Sequence, residues 1–357
     1  MTKRETFTGS PAIGSGPKRP GPIPVSRSRT LIPFLNFGYE RRMPVDRWLR
    51  ECRLPGHLHD DPETFIPTSA RWKCVSLMAH ESGIEDLGLR VSYDDALDIM
   101  GPHILLGVLR EPTLADGIDT FARLIRCESS GMFVWTSLGD ESVRFHLKKL
   151  LKPDTSGFSQ IEWQSLMIMV TMIRIFAGVT WEPDLVALRS PTDVPPLAGE
   201  LFPGTRFARG RRNAFVEFPR TLLTTGLSCY GDQIKARLSS TPVDRATTDP
   251  PADFAESLRR ILKSYLPDGY PSLARAAAIS GMSGRTLQRR LTESGLSYST
   301  VVDRARFDVA TEMLARTDAT SLEISLATGY EDPSHFARAF RRVGGCSPRE
   351  YRRRCAA

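Results

Sequence analysis

Two stretches near the C-terminal end of the chain share one pattern of apolar and polar positions. In SLARAAAISGMSGRTLQRRL, from Ser272 to Leu291, a short apolar-faced run is followed by a glycine turn and a second helical run. Ser283 predicts the start of that second helix, because its hydroxyl can accept a free backbone N–H. Leu287 and Leu291 then fall four apart on one face, leaving Arg285, Gln288, Arg289 and Thr292 outward. The order repeats in SLEISLATGYEDPSHFARAFRR, from Ser321 to Arg342. There Gly329 suits the left-handed end of a helix, Asp332 caps the next one, and Pro333 occupies its first position. Phe336 and Phe340 form the inward pair, with Ser334, Ala337, Arg338 and Arg341 facing out. An amphipathic segment, Thr300 to Arg316, lies between the two units, with Val302, Arg306, Val309 and Met313 down one side. Ser347-Pro348-Arg349-Glu350 is a capping box that opens a closing helix.

A helix, a turn and a second helix with basic residues on its outer side is the helix-turn-helix arrangement. Its second helix fits the major groove of DNA, where base edges can be told apart.

Upstream, from about Leu31 to Asp232, the pattern is mixed. Pro67–Glu81, Leu114–Glu128 and Ser159–Ala177 read as helices. Met132–Ser137 and Ser142–Leu147 read as strands joined by a hairpin at Gly139-Asp140. Shorter strands are expected at Asp184–Leu188, Arg206–Ala208 and Ala214–Phe218. The apolar run Leu166–Gly178 is too short to span a membrane and contains Arg174, so a buried helix is expected. The polar, proline-containing stretch 239–252 reads as a linker, and the Pro/Gly/Ser-rich residues 1–30 as a disordered tail without a signal core. The expected fold class is therefore an α+β N-terminal sensory domain, residues 31–238, followed by an all-α DNA-binding domain, residues 253–357, with two helix-turn-helix units.

The C-terminal hundred residues resemble the DNA-binding domain of the AraC/XylS family of bacterial transcription regulators. The resemblance rests on Gly281-Met282-Ser283 and Arg285-Thr286-Leu287-Gln288-Arg289-Arg290-Leu291. It rests equally on Gly329-Tyr330, Phe336, Arg338-Ala339-Phe340-Arg341-Arg342, Gly345, Ser347-Pro348 and Tyr351-Arg352. Gly344 departs from the family, which usually has a larger residue there; a glycine pair is expected to loosen the last turn of the second reader helix. The upstream region is similar to the effector domain of the arabinose-binding-like branch of the same family. That similarity is carried by Gly88-Leu89-Arg90, Pro112-Thr113-Leu114, Trp181-x-Pro183 and Asn213 through Pro219.

The resemblance implies base contacts from the outward positions near the start of each reader helix. The candidates are Arg285, Gln288 and Arg289 in the first, and Ser334 and Arg338 in the second. Arginine pairs bidentately with guanine and glutamine with adenine. Pro333 and Ala337 carry no hydrogen-bonding side chain, so the first helix is expected to discriminate more. Ser283, Thr292, Arg341 and Arg342 are candidates for phosphate contact. His335, also near the start of the second reader, is left out of both sets, since local packing accounts for it equally well.

Charge agrees with this reading. The chain has 357 residues, length for about two domains, and a formal net charge of +7. From Asp253 onward, 17 Arg and Lys face 12 Asp and Glu, and 16 of the 17 are arginine, which suits phosphate and guanine better than lysine does.

Catalytic chemistry finds no support. Gly14-x-Gly16 lacks the rest of a phosphate loop, and no Walker or GxSxG pattern occurs. The six cysteines form no CxxC pair, as expected in a reducing cytosol. Cys52, His57, His59, Asp60 and Asp61 lack a second ligand pair at standard spacing and read as a solvated loop rather than a metal site. Trp135, Trp163, Trp181, Phe145 and Phe176 could line an effector pocket but read first as ordinary core.

The expectation is a cytoplasmic, nucleoid-associated transcription regulator, by family tendency an activator, with no cofactor and no metal. The partners implied are double-stranded DNA, RNA polymerase, a small-molecule effector and a second copy of the chain, with no membrane. Effector-binding residues are not identified. The rivals are an architectural DNA binder with weak sequence preference and, further off, a DNA-targeted enzyme such as an alkyl-transfer protein, which would need a reactive acceptor cysteine.

Overall fold

Alternation along Ser142–Lys149 determines how the larger sheet is faced: Val143, Phe145 and Leu147 are buried, while Arg144 and Lys148 point outward. In the computed structural model, which describes residues 21–150, 152–238 and 251–355, this strand pairs with Met132–Leu138 on one side and Ala214–Pro219 on the other. Leu185–Ala187 and then Arg206–Ala208 complete five strands. All neighbours are antiparallel except the last pair, which is parallel. The expected hairpin at Gly139-Asp140 is present, and its register sets Trp135 opposite His146.

The buried face of this sheet packs on the expected long helix, which runs Phe158–Ala177, and on Leu114–Glu128; Leu87–Met100 packs in turn on the long helix and Pro102–Val108 on Leu114–Glu128. One core joins Val143, Phe145, Val216 and Phe218 of the sheet to Phe121, Leu166, Met169, Ile173 and Phe176 of the helices. Phe145, Trp163 and Phe176 are thus core, and Trp181 packs partly buried against it. Trp135 is different: it lies on the opposite sheet face, stacked on His146 at 5.0 Å, with Phe215 edge-on to the same imidazole. Burial, helped by Arg144, lowers the His146 pKa to about 4, so the ring is neutral near pH 7.

Two polar details hold these layers in place. Glu162, buried in the long helix, accepts the backbone N–H groups of Arg189 and Ser190 at 2.9 and 3.0 Å and so anchors the loop after Leu185–Ala187. Burial raises its pKa above the ordinary glutamate value against these two hydrogen bonds. At Gly88 the helix Leu87–Met100 closes directly on the long helix: a Cβ there would overlap the Gln160 backbone carbonyl, and the Gly88 amide donates to Gln160 Oε1 at 2.7 Å.

The chain forms two compact units, and neither is one continuous stretch. The first takes Arg29–Val45 and, from Trp72, the helices and sheet just described. The second takes 21–28, Asp46–Arg71 and 251–355.

This division corrects the boundaries expected from sequence. Residues 1–20 of the expected tail lie outside the described residues, but Val25–Arg27 is a fully buried strand, antiparallel to Phe65–Pro67. Its partner is some forty positions away, so local composition carries no trace of the pairing. The stretch Cys52–Asp61 is not simply a solvated loop either, since Cys52, Leu54 and Leu58 are buried while His59, Asp60 and Asp61 stay exposed. The expected linker lies outside the described residues except for its last two positions.

Replacing Gly88 by alanine forces the two helices apart at their closest point. We expect Gly88→Ala to destabilise the first unit by about 1–3 kcal/mol, the usual range for overpacking a tight site. Chemical denaturation checks this, and an unchanged midpoint would count against so close an approach.

Candidate nucleic-acid interface

Residues 254–355 are helical wherever they are regular, as the sequence implied. The first helix-turn-helix is Leu273–Ile279 and Gly284–Glu293. The second is Ser321–Ala327 and Pro333–Gly344, and Tyr298–Arg316 joins them.

Every cap read from the sequence is made. Ser283 Oγ accepts the Thr286 N–H at 3.2 Å, and Asp332 Oδ1 accepts the Ser334 N–H at 2.7 Å. Ser347 and Glu350 form their reciprocal pair ahead of Pro348–Cys355. Gly329 has φ +74°, the left-handed conformation its place in the turn requires. Thr320 and Glu323 form a further capping box, which the sequence reading did not single out.

The inward pairs divide between two cores. Leu287 and Leu291 pack with Phe254, Leu258, Ile261, Val301, Val302 and Ala305. Phe336 and Phe340 pack with Ala310, Leu314 and Ile324. The joining helix therefore gives its first half to one reader and its second half to the other.

The outward faces are left open. Arg285, Gln288, Arg289 and Thr292 are exposed, as are Ser334, Arg338, Arg341 and Arg342. These residues are not equivalent. Arg289 is tethered to Glu293 at 3.0 Å across one helical turn. Arg342 pairs with Asp303 of the joining helix at 2.6 Å, which braces the second reader from behind. Ser283 spends its hydroxyl on the cap, and Thr292 donates to the Gln288 carbonyl at 3.1 Å. Arg285, Arg338 and Arg341 enter no ion pair among the described residues. His335 is exposed and 3.9 Å from Asp332.

Arg306 is the residue that sequence reasoning placed on the right face without seeing its work. Its guanidinium lies 4.8 Å from the Tyr270 ring and 4.2 Å from the Tyr330 ring, and Nη2 donates to the Gly329 carbonyl at 2.8 Å. It thus ties the turn of the second unit to the segment that enters the first. The two tyrosines are sixty residues apart and have no local signature.

Gly344 corrects the expectation of a loosened helix end. The reader helix runs through it to a left-handed Gly345, and a Cβ at Gly344 would overlap the Phe307 ring. The glycine is there for close approach, not slack.

The fold and the open basic faces define a class: a regulator with two DNA-reading heads and a separate α+β domain. Comparison with known proteins agrees. Residues 43–227 match the model of the arabinose-binding domain of AraC transcription regulators, N-terminal, and residues 276–354 match a helix-turn-helix domain. The chain belongs to the AraC-type family of transcriptional regulators. It is 24% identical over 322 residues, 85% of this chain and 89% of the relative, to the HTH-type transcriptional regulator VirS of Mycobacterium tuberculosis. Over 107 residues, 30% of this chain and 31% of the relative, it is 37% identical to the ornithine utilization regulator of Pseudomonas aeruginosa. Among solved structures, the regulator CdpR of Pseudomonas aeruginosa aligns with 88% of this chain and 98% of its own, at 21% identity and a TM-score of 0.38. These relatives are regulators, not enzymes. No helix among the described residues is long and apolar enough to cross a membrane.

The caps differ chemically between the two heads. Ser272, Ser283 and Ser297 cap the first with hydroxyls. In the second, Glu323, Asp332 and Glu350 accept the backbone N–H groups of Thr320, Ser334 and Ser347, and these hydrogen bonds hold all three carboxyls below their ordinary pKa. A carboxyl whose pKa is depressed on folding stabilises the fold above its unfolded value and stops doing so as pH falls through the folded one. Thr320 and Ser347 also cap with their hydroxyls, so acid removes the carboxylate half of the second head's caps and leaves the hydroxyl half. In an NMR titration from about pH 6 to about pH 2, spanning the carboxylate range and below, the amides of Thr320, Ser334 and Ser347, which the carboxylates accept, should lose their capped shifts while Thr286 and Thr300 keep theirs. Simultaneous loss in both heads would defeat the prediction.

Proposed function

We propose that the protein is a sequence-specific transcription activator, controlled by a small molecule bound in its N-terminal α+β domain. The observation that carries this reading is the pair of capped reader helices, each packed on its own core, with arginines left open on the outward face. Base contacts are assigned to Arg285, Gln288 and Arg289 of the first head and to Ser334 and Arg338 of the second. Ser283, Thr292, Arg341 and Arg342 are assigned to phosphate. Ser283 meets phosphate through its backbone N–H more readily than through a hydroxyl already engaged in capping, and Arg342 has to share its charge with Asp303.

The tether from Glu293 supports a base-reading role for Arg289. An arginine held along its helix loses less side-chain freedom when it meets a guanine, at the cost of breaking or sharing a surface ion pair worth under about 1 kcal/mol. The first head carries two arginines and a glutamine against one serine and one arginine, and so supplies more of the discrimination.

Control by an effector is supported by the family of the N-terminal domain. A ligand acts there only by preferring one conformation of the chain. The chain acts as a homodimer, which raises the local concentration of heads at paired sites, and it presents a surface to RNA polymerase in the cytoplasm. Related proteins include one named as a transcriptional activator, NphR of Rhodococcus, 33% identical over 96 residues.

The test begins with purified protein and genomic fragments at near-physiological salt. Enrichment of a motif with two half-sites about 34 Å apart, one helical turn, is expected for two heads in successive major grooves. Salt-sensitive binding without a motif would favour the architectural reading. On the recovered duplex, Arg289→Ala should cost about 1–3 kcal/mol, the worth of one bidentate base contact, and far less on random DNA. Competition binding measures both, and equal losses would reassign Arg289 to the backbone.

A further inference from the structure

The DNA-reading unit contains residues that the chain lays down long before its helix-turn-helix region. The described part of Arg19–Ser28 and the whole of Asp46–Arg71 belong to it. Between and after them, Arg29–Val45 and the chain from Trp72 belong to the first unit.

These early residues are built into the core of one head. Ile23, Val25 and Phe65 share a single apolar cluster with Phe254, Leu258, Ile261 and Leu262 of the helix Phe254–Tyr265, and with Leu287 and Leu291 of the first reader. The core of the second reader, around Phe336 and Phe340, includes none of them.

Polar contacts fix the same attachment. The Ile23 N–H donates to Ser257 Oγ at 2.9 Å, and Ser264 Oγ donates to the Phe65 carbonyl at 3.1 Å. His57 Nε2 meets the Ser264 carbonyl at 3.1 Å. Phe65 lies between two guanidiniums, Arg27 at 4.7 Å and Arg260 at 5.3 Å from its ring.

Further along, the segment reaches the helix-turn-helix itself. Arg53 takes the left-handed backbone conformation, φ +56°, and its carbonyl accepts the Tyr265 hydroxyl at 2.7 Å. That bond fixes a residue that would otherwise disfavour this conformation. Arg53 Nη1 then donates, at 3.4 Å, to the Ala278 carbonyl in the last turn of Leu273–Ile279. A cation there meets the negative end of the helix, at a carbonyl that also accepts the Gly281 N–H at 3.2 Å. Ser69 Oγ lies within van der Waals reach of the turn glycine Gly281, 3.9 Å from where a Cβ would stand.

We propose that Asp46–Arg71, with the strand Val25–Arg27, is a strap that sets the first reader helix, and that Arg53 is its positioning residue. The strap takes no part in the second head. Because both of its ends run directly into residues of the first unit, a change of conformation there has a covalent route to the first half-site and not to the second. The regulatory part of this inference rests on the reading of the protein as an effector-controlled regulator; the positioning part rests on the structure of the reading unit alone.

Two measurements on the full-length chain test it, using Arg53→Met and Tyr265→Phe, with Arg53→Lys as the conservative control. Hydrogen exchange is the first. The two variants should exchange faster over Ala276–Leu291 and be unchanged over Ile324–Phe340, and Arg53→Lys should restore the slow rates. Competition binding is the second, on a duplex recovered from genomic fragments and on copies with one half-site scrambled. About tenfold weaker binding is expected on the intact duplex and on the copy that keeps only the first half-site, a loss equal to about 1.4 kcal/mol. On the copy that keeps only the second half-site the variants should match the parent.

Equal loss at both half-sites, or exchange that rises equally in both heads, would overturn the strap and show a general effect on folding. Unchanged exchange and unchanged binding would overturn it as well. A parent protein with no half-site preference would instead defeat the regulator reading, and the exchange arm would still decide the strap.

Discussion

Each reader helix is held by what its inward face buries, and the joining helix Tyr298–Arg316 is what both of them bury against. Val301, Val302 and Ala305 at its start close the core of the first head, and Ala310 and Leu314 near its end close the core of the second. Burying a leucine or phenylalanine side chain stabilises by roughly 1.5–3 kcal/mol, so two such residues per reader are a large share of what holds each helix. With the inward positions committed in this way, the outward positions are free to carry arginine, glutamine and serine at little cost to the fold. Function on one face depends on packing on the other.

The two heads solve the same problem with different materials. The first is capped by serines and completed by a strap from early in the chain; the second adds carboxylates to its hydroxyl caps and is closed by aromatic contacts among Phe307, Phe336, Phe340 and Tyr351. Arg306 and the Arg342–Asp303 pair tie the second head back to the joining helix. Such asymmetry lets one head respond to the rest of the chain while the other keeps its geometry. In the first unit the buried Glu162 and the Gly88 contact do comparable work, fixing a loop and a helix spacing that no apolar pattern specifies.

Much of this was legible in the chain itself. Strand and helix periods located the hairpin at Gly139-Asp140, the helix Leu114–Glu128 and the long apolar helix, because those signals repeat within one element. Reader helices were legible for the same reason. A cap, a turn glycine and an inward pair four residues apart are all local, and local stereochemistry acts wherever the chain goes. Ser283, Gly329, Asp332 and the Leu287/Leu291 and Phe336/Phe340 pairs followed from that alone.

What the tertiary structure decided is of another kind. The strand Val25–Arg27 pairs with one forty residues away, the Cys52–Asp61 stretch buries Cys52, Leu54 and Leu58 despite its polar composition, and Arg306 sits between tyrosines sixty positions apart. Gly344 looks like slack in the sequence and is a close contact with Phe307 in space. None of these has a period or a motif, since each depends on two segments arriving at the same place. The sequence by itself determined which helices form and which of their faces are buried, through spacing and caps. Which remote segments complete each core was settled only by packing, because burial rewards any apolar surface that fits and leaves no mark on the chain beforehand.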